Sequence, residues 1–318
     1  MADNPGIAVR GVRRSFGDVN AVSDATFEAP AGRVTALVGP NGSGKTTLLL
    51  MLASLLRPDA GSIAIAGADP VSSPAVVRSR VGWMPDALGA WPSLTARETL
   101  AVTGRLYRLS AQRAAARAAE LLAVVGLTDL ADRPARVLSR GQKQRLGLAR
   151  ALVHDPAVLL LDEPASGLDP QARIELRSLL RSLAAGGRTV LVSSHVLSEL
   201  EEIADDAVFM VRGTVVSEGD VARASAGERD WRIRLLPGQG DPAGNREIVV
   251  LLATAGVNTA ALRRDRGDLV APFPSDEAAA AALSAMVTAG LRITEFAPVA
   301  GRLEQTFLGL SAPEGHAS

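Results

Sequence analysis

The chain has 318 residues, 47% of them hydrophobic, with 34 Lys+Arg balanced by 34 Asp+Glu and no cysteine. This length accommodates one large domain and a smaller one. The cancelled charge argues against a polyanion-binding surface, so no nucleic-acid partner is expected. Without cysteine there is no disulfide, no Cys-ligated zinc and no thiol nucleophile, a composition that suits the cytoplasm.

The opening MADNPGIAVRGVRR lacks the apolar centre of a signal peptide. Residues Ile7 to Phe27 read as short alternating strands. Arg33 to Val38 reads as a buried strand and Lys45 to Leu56 as a helix, with a glycine-rich turn between them. The apolar run Leu48 to Leu56 is far shorter than the roughly 18 to 20 residues that cross a bilayer, so a membrane role requires a partner. Asp59 to Pro92 reads as loop-rich, with a strand at Ser62 to Ala66. Leu94 to Val153 is almost wholly helical in pattern, and its Ala-rich helix, Ala111 to Val125, should end at Gly126. This is a helical insertion within an α/β domain.

Continuous apolar runs at Ala157 to Pro164 and Arg188 to His195 mark strands of a parallel sheet, buried on both faces. The character changes after about Val221, which predicts domains of residues 1–220 and 221–318. In the second, strands are expected at Asp230 to Leu236, Ala260 to Pro272 (two) and Leu291 to Pro298, with helices at Asn245 to Ala255 and Asp276 to Ala289. The echo of TAGV (Thr254 to Val257) in TAGL (Thr288 to Leu291) puts a glycine where each helix gives way to a strand. The order β-α-β-β-α-β would be a ferredoxin-like unit.

GPNGSGKT, Gly39 to Thr46, has the phosphate-loop spacing G-x-x-x-x-G-K-[ST], placed between an apolar strand and a helix as that motif requires. Glycines let successive N–H groups turn toward phosphate oxygens, Lys45 adds charge, the helix N-terminus adds its dipole, and the Thr46 hydroxyl can bind Mg²⁺. The binding set is Gly39, Pro40, Asn41, Gly42, Ser43, Gly44, Lys45, Thr46 and Thr47. In LLLDEP a strand ends in Asp162 and Glu163. Asp162 suits Mg²⁺, and Glu163 suits the orientation or deprotonation of an attacking water. His195 closes VLVSSH and should lie at the same sheet edge. LSRGQKQRLGLARAL, Leu138 to Leu152, opens as a helix capped by Ser139 with a bare backbone at Gly141.

In this order, GPNGSGKTT, LSRGQ, LLLDEP, SGLD and SSH resemble the nucleotide-binding domain of ATP-binding cassette (ABC) transporters, from about Ile7 to Gly219. The resemblance implies an α/β phosphate-loop NTPase cassette with a mixed sheet, a helical signature subdomain at about 94–153, and a small α+β C-terminal domain. It implies ATP and Mg²⁺ as cofactors, Phe16 stacking on adenine, Glu163 as catalytic base, Lys45 and His195 at the γ-phosphate, and Asp169 in a loop that communicates across a dimer. Ser139, Gly141 and Gln142 would face a nucleotide held by a second copy or a homologous cassette, packed head to tail.

Two positions depart from the family pattern. Arg140 replaces the first glycine of the usual LSGGQ. Asp86, in VGWMPD, stands where the family places a glutamine that reaches Mg²⁺ and the attacking water. Asp86 either holds Mg²⁺ or serves as a loop or capping residue. WMPDALGAWPSLTARETL and the amphipathic ending GRLEQTFLGL resemble the drug- and antibiotic-exporter branch, which implies an integral-membrane permease partner and a peripheral place on the inner face of the cell membrane. Ribosomal members carry paired cassettes and DNA-repair members long coiled coils, which this chain lacks; intact Lys45, Asp162, Glu163 and His195 oppose a binding-only cassette. The tail either supports the cassette or binds the membrane partner.

Overall fold

The computed structural model describes residues 6–86, 91–225, 227–236, 246–254 and 256–311. The chain divides into two compact units, between Val216 and Ser217.

The first unit contains β1 (Ile7–Phe16), β2 (Val19–Ala29), β3 (Val34–Val38), α1 (Lys45–Leu52), β4 (Ala60–Ile65), α2 (Pro74–Arg80), β5 (Val81–Met84), α3 (Ala96–Leu106), α4 (Ala111–Val124), α5 (Arg140–Ala151), β6 (Val158–Asp162), α6 (Pro170–Ala185), β7 (Thr189–Ser194), α7 (Leu197–Ile203), β8 (Asp206–Val211) and β9 (Thr214–Val215). Its sheet has the order β4-β1-β2-β9-β8-β3-β7-β6-β5. β8, β3, β7, β6 and β5 are parallel neighbours, whereas β4, β1 and β2 form an antiparallel flank. Every residue of β3, β6 and β7 is buried, as their unbroken apolar runs require. α1 buries Leu48, Leu49, Met51 and Leu52 against this sheet and so has little polar face.

Parallel register decides where the chemistry falls. Val38 pairs with Ser194, and Asp162 pairs with Ser193. The carboxyl ends of β3, β6 and β7 therefore finish level, and the three segments that follow them, beginning at Gly39, Glu163 and His195, share one edge. A ligand of an open parallel sheet binds at that edge.

Several expectations need correction. α1 stops at Leu52 rather than Leu56 because Ser54 turns left-handed (φ 60), with its N–H on Met51 O at 3.1 Å and that of Leu55 on Leu50 O at 2.9 Å. These bonds satisfy the last carbonyls in a Schellman cap. The stretch read as loop-rich also holds α2, started by Pro74 after Ser73, and the four-residue β5. The span from Leu94 to Val153, read as almost wholly helical, holds three helices, with a break after α3 and two short 3-10 turns between α4 and α5. α6, α7, β8 and β9 were not anticipated.

The second unit contains α8 (Glu218–Ser225), β10 (Arg229–Leu235), α9 (Arg246–Thr254), β11 (Arg263–Asp265), β12 (Asp268–Phe273), α10 (Asp276–Thr288), β13 (Ile293–Pro298) and α11 (Arg302–Ser311). β10 through β13 form an antiparallel sheet of order β11-β12-β10-β13, the arrangement of a ferredoxin-like unit. Ile233, Leu269 and Phe273 from the sheet close a core with Ile248 and Leu252 of α9 and Ala282 and Met286 of α10. Gly256 (φ 80) and Gly290 (φ 85) end α9 and α10 as the TAG echo predicted. α11 packs on α8, where Ser225 and Thr306 hydroxyls lie 2.9 Å apart. No helix among the described residues is long and apolar enough to cross a membrane.

Candidate functional site

The loop after β3 is shaped by contacts that exclude side chains. A Cβ on Gly39 would lie 2.3 Å from Met210 O, and one on Gly44 (φ +102) would lie 2.3 Å from Ala21 O. Only glycine fits either place, and Gly213 N–H braces the loop by donating to Ser43 O at 3.0 Å. Lys45, the first residue of α1, curls back so that Nζ donates to Gly39 O at 2.7 Å and Pro40 O at 3.1 Å. Burial lowers its pKa, and the nearby Glu163 and Asp162 carboxylates oppose that shift.

Thr46 Oγ1 donates to Asp162 Oδ2 at 2.9 Å, and Ser193 Oγ donates to the other oxygen of that carboxylate. Asp162 is 4% exposed, so these hydroxyls stand in for much of its lost hydration. The next residue, Glu163, has a left-handed backbone (φ 52) that turns its side chain out of the strand direction. Its Oε2 accepts from Ser194 Oγ at 3.2 Å and lies 3.0 Å from His195 Nδ1. A hydrogen bond there needs the histidine proton on Nδ1.

Lys45, Thr46, Asp162 and Glu163 border one open cleft of about 310 Å³, lined also by Asn41, Gly42, Gly44, Thr47 and Asp86, with Val19, Asn20 and Ala21 on the β2 side; His195 reaches it through Glu163. Exposed Asp86 thus reaches the cleft wall directly after β5. Ser43 Oγ is buried without a hydrogen-bond partner. An orphaned hydroxyl inside a glycine cradle fits a ligand oxygen that would complete it. The Thr46 hydroxyl with the Asp162 carboxylate is an oxygen set suited to a hard divalent cation that keeps other ligands from substrate and water. Phe16 ends β1 opposite Val19 and is 48% exposed, with the Arg14 guanidinium 4.7 Å from the centre of its ring.

Ser139, Gly141 and Gln142 are elsewhere: none lines the cleft. They form the N-terminus of α5 as a capping box, with Gln142 N–H on Ser139 Oγ at 3.2 Å and Ser139 N–H on Gln142 Oε1 at 2.9 Å. Gln142 gives its Oε1 and its backbone N–H to that cap. Asp169 likewise caps α6, accepting from Ala172 N–H at 2.8 Å. Sequence reasoning assigned nothing to Ser193, Ser194 or Ser166, although Ser193 and Ser194 stand in SSH, the motif that supplied His195. Their signal was a hydroxyl pair closing an otherwise apolar strand.

A phosphate loop, a carboxylate pair ending a parallel strand of the same sheet and a capped glycine helix end together define a phosphate-loop ATPase of the cassette type. The ABC transporter family model matches residues 22–166, from within β2 to just past β6. The chain is 36% identical to a daunorubicin resistance ATP-binding protein of Streptomyces coeruleorubidus over 99% of this chain and 98% of that one. It is 46% identical to the Nod factor export ATP-binding protein I of Burkholderia lata, over 67% and 70% of the two chains. A dimeric ATP-binding cassette in a post-hydrolysis state, bound to ADP and Pi, superposes with a TM-score of 0.62 at 25% identity, covering 66% of this chain and 97% of that one. The chain belongs to the ABC transporter ATP-binding proteins. It is an ATP-binding and ATP-hydrolysing transporter subunit.

Proposed function

We propose that this chain drives an exporter, working as a head-to-tail pair beneath a separate integral-membrane permease on the inner face of the cell membrane. The observation that carries the proposal is the convergence of Lys45, Thr46, Asp162, Glu163 and His195 at one sheet edge, while Ser139 and Gly141 stand at a helix end that does not line this cleft. Relatives named for daunorubicin resistance and Nod factor export support the direction of transport.

In this reading the loop Gly39 to Thr47 binds the phosphates of ATP, with Ser43 Oγ and Lys45 Nζ turned to their oxygens. Lys45 must leave the carbonyls of Gly39 and Pro40 to do so, and its burial makes that exchange favourable because a phosphate compensates the charge better than two carbonyls do. Thr46, Asp162 and Asp86 are the residues that would hold Mg²⁺, which supplies neutralisation of charge on the phosphate oxygens when bound. Glu163 accepts the proton of the attacking water. His195 holds the carboxylate through Nδ1 and directs its other ring nitrogen to the γ-phosphate. Phe16 offers adenine the ring face opposite Arg14. Ser139 and the backbone at Gly141 close the site of the second cassette, where a helix end favours an anion by roughly 0.3 to 2 kcal/mol. That contribution depends on the γ-phosphate, so hydrolysis loosens the pair and the permease takes up the motion. The second unit serves as an accessory domain.

Glu163→Gln tests the central assignment. Turnover should fall on the order of 10² to 10⁴-fold, and the protein should sediment as a stable dimer in ATP and Mg²⁺. A monomer with activity near wild type would refute the base. Purification with the membrane protein encoded beside it, followed by assay of compounds that stimulate the ATPase, tests the exporter reading.

A further inference from the structure

Helix α5 begins at the signature, yet one turn later it touches the cleft's own carboxylate segment. Gln144 is 2% exposed, and its Nε2 donates to Glu163 O at 2.7 Å. On the other side of the same residue, Glu163 N–H donates to Ser193 O at 3.1 Å. Both backbone polar groups of Glu163 are therefore held, its N–H by β7 and its carbonyl by Gln144 of α5 together with Ser166 N–H at 3.1 Å. The residue between them stands at φ 52, in a region that glutamate enters only when its surroundings enforce it.

The attachment of α5 to this segment is wider than one bond. Gly141 lies close enough to the loop after Glu163 that an added Cβ would be 3.2 Å from Gly167 O, and Arg140 bonds Ser166 Oγ at 2.7 Å. The amide of Gln144 is the only one of these contacts made directly to the glutamate. Without that donor the Glu163 carbonyl keeps only the Ser166 N–H of its own turn, at 3.1 Å, and the left-handed backbone loses its tether to α5. A change in φ there swings the carboxylate away from Ser194 Oγ and His195 Nδ1.

We propose that Gln144 is a positioning residue for Glu163. It sets the direction of the carboxylate by holding the left-handed backbone, and it joins the base of one composite site to the signature that closes the other. The inference rests on the reading of Glu163 as base and of Ser139 and Gly141 as ligands in trans. Its consequence is that displacement of α5 by a nucleotide on the second cassette is felt at Glu163 of the first, so the two hydrolysis events are coupled through a rigid helix.

The test uses the full chain with Gln144→Met, which keeps length without the donor, and Gln144→Glu, which sets an acceptor against the carbonyl. Each should lower kcat about 10- to 100-fold, since a small misplacement of a catalytic group has effects of that order. The KM for ATP and the binding of a fluorescent ATP analogue should change less than about threefold. In a Glu163→Gln background, adding Gln144→Met should reduce the residual turnover less than about twofold, because the group being positioned is already gone. Equal losses in both backgrounds, or weakened nucleotide binding in step with kcat, would mark Gln144 as a general support of the fold and overturn the positioning role. A kcat within about threefold of wild type in both single variants would overturn it too. Near-normal turnover in Glu163→Gln alone overturns the base assignment and this proposal with it, an outcome distinct from the others.

Discussion

The Arg140 guanidinium donates to Ser166 Oγ at 2.7 Å, and its side chain lies so closely across Gly167 that a Cβ there would meet Arg140 Cδ at 2.8 Å. Where the family pattern has a glycine, this chain has a strut between the signature helix and the SGLD loop of the same subunit. The guanidinium thus has a hydrogen-bond partner within its own chain. An exposed side-chain bond of this type contributes roughly 0.5 to 1.5 kcal/mol. Arg140→Ala should therefore change ATP-driven dimerisation, measured by sedimentation, by less than about threefold, while the Ser166 loop gains proteolytic sensitivity. A loss of dimerisation above about tenfold, rising as salt is lowered, would place the charge at the γ-phosphate instead.

Phe16 has one ring face taken by Arg14 and is half exposed at the end of β1. An aromatic held this way is a platform for a planar base. Stacking of a base on an aromatic contributes roughly 1 to 3 kcal/mol by alanine substitution. Phe16→Ala should raise the KM for ATP about 5- to 100-fold with kcat changed little, and Phe16→Trp should keep wild-type affinity. An unchanged KM in Phe16→Ala would return Phe16 to a strand-end role.

Helix ends show where the sequence was readable. Gly126 ends α4 with its N–H on Ala123 O at 3.1 Å and that of Leu127 on Leu122 O at 2.8 Å, and Gly290 ends α10 in the same way. Ser54 and Arg108 make the same cap with φ of 60 and 64, but they carry no glycine to announce it, and α1 read four residues too long. The site divides along a similar line. The phosphate loop is one contiguous segment, and its spacing between β3 and α1 is carried by the sequence itself, although the contacts that exclude side chains at Gly39 and Gly44 come from Met210 and Ala21. Ser193, Ser194 and Gln144 act on Asp162 and Glu163 only because β7 lies in register with β6 and α5 brings Gln144 to the segment that follows β6. No local pattern encodes that register.

Asp86 adds a third carboxylate to a cleft that already holds Asp162 and Glu163 around the single ammonium of Lys45. Extra negative charge strengthens the hold on a hard cation, and glutamine at this position would supply an oxygen without the charge. Asp86→Gln and Asp86→Ala should each raise the Mg²⁺ concentration for half-maximal ATPase by roughly fivefold, about 1 kcal/mol of attraction at the edge of solvent. If neither variant alters the Mg²⁺ dependence or the permease-coupled activity, Asp86 serves the loop and not the cation.

The second unit carries its own acid sensitivity on the sheet face opposite its core. Arg234 donates to Asp268 through Nε at 2.8 Å and Nη2 at 2.6 Å, and the same guanidinium also pairs with Glu295. Hydrogen bonds from Arg234 hold the Asp268 carboxyl below its ordinary value of 3.8, with the charges of Arg234 and Arg232 acting in the same direction and burial against it. A carboxyl depressed in the folded state binds fewer protons there than in the unfolded chain. Its stabilisation is therefore complete above the ordinary value and disappears as pH falls toward the depressed one. Asp268→Asn should cost about 1 kcal/mol at neutral pH, the low end for a charged pair because Arg234 is half exposed. Trp231, on β10 and packed against the core of this unit, reports its unfolding by urea once Trp83 and Trp91 are changed to Phe in the full chain. Wild type and Asp268→Asn should differ at pH 7 and converge as the pH is lowered below the ordinary carboxylate range, because the proton then removes in the wild type what the substitution has removed already. Parallel curves with a constant gap would mean that Asp268 contributes packing alone.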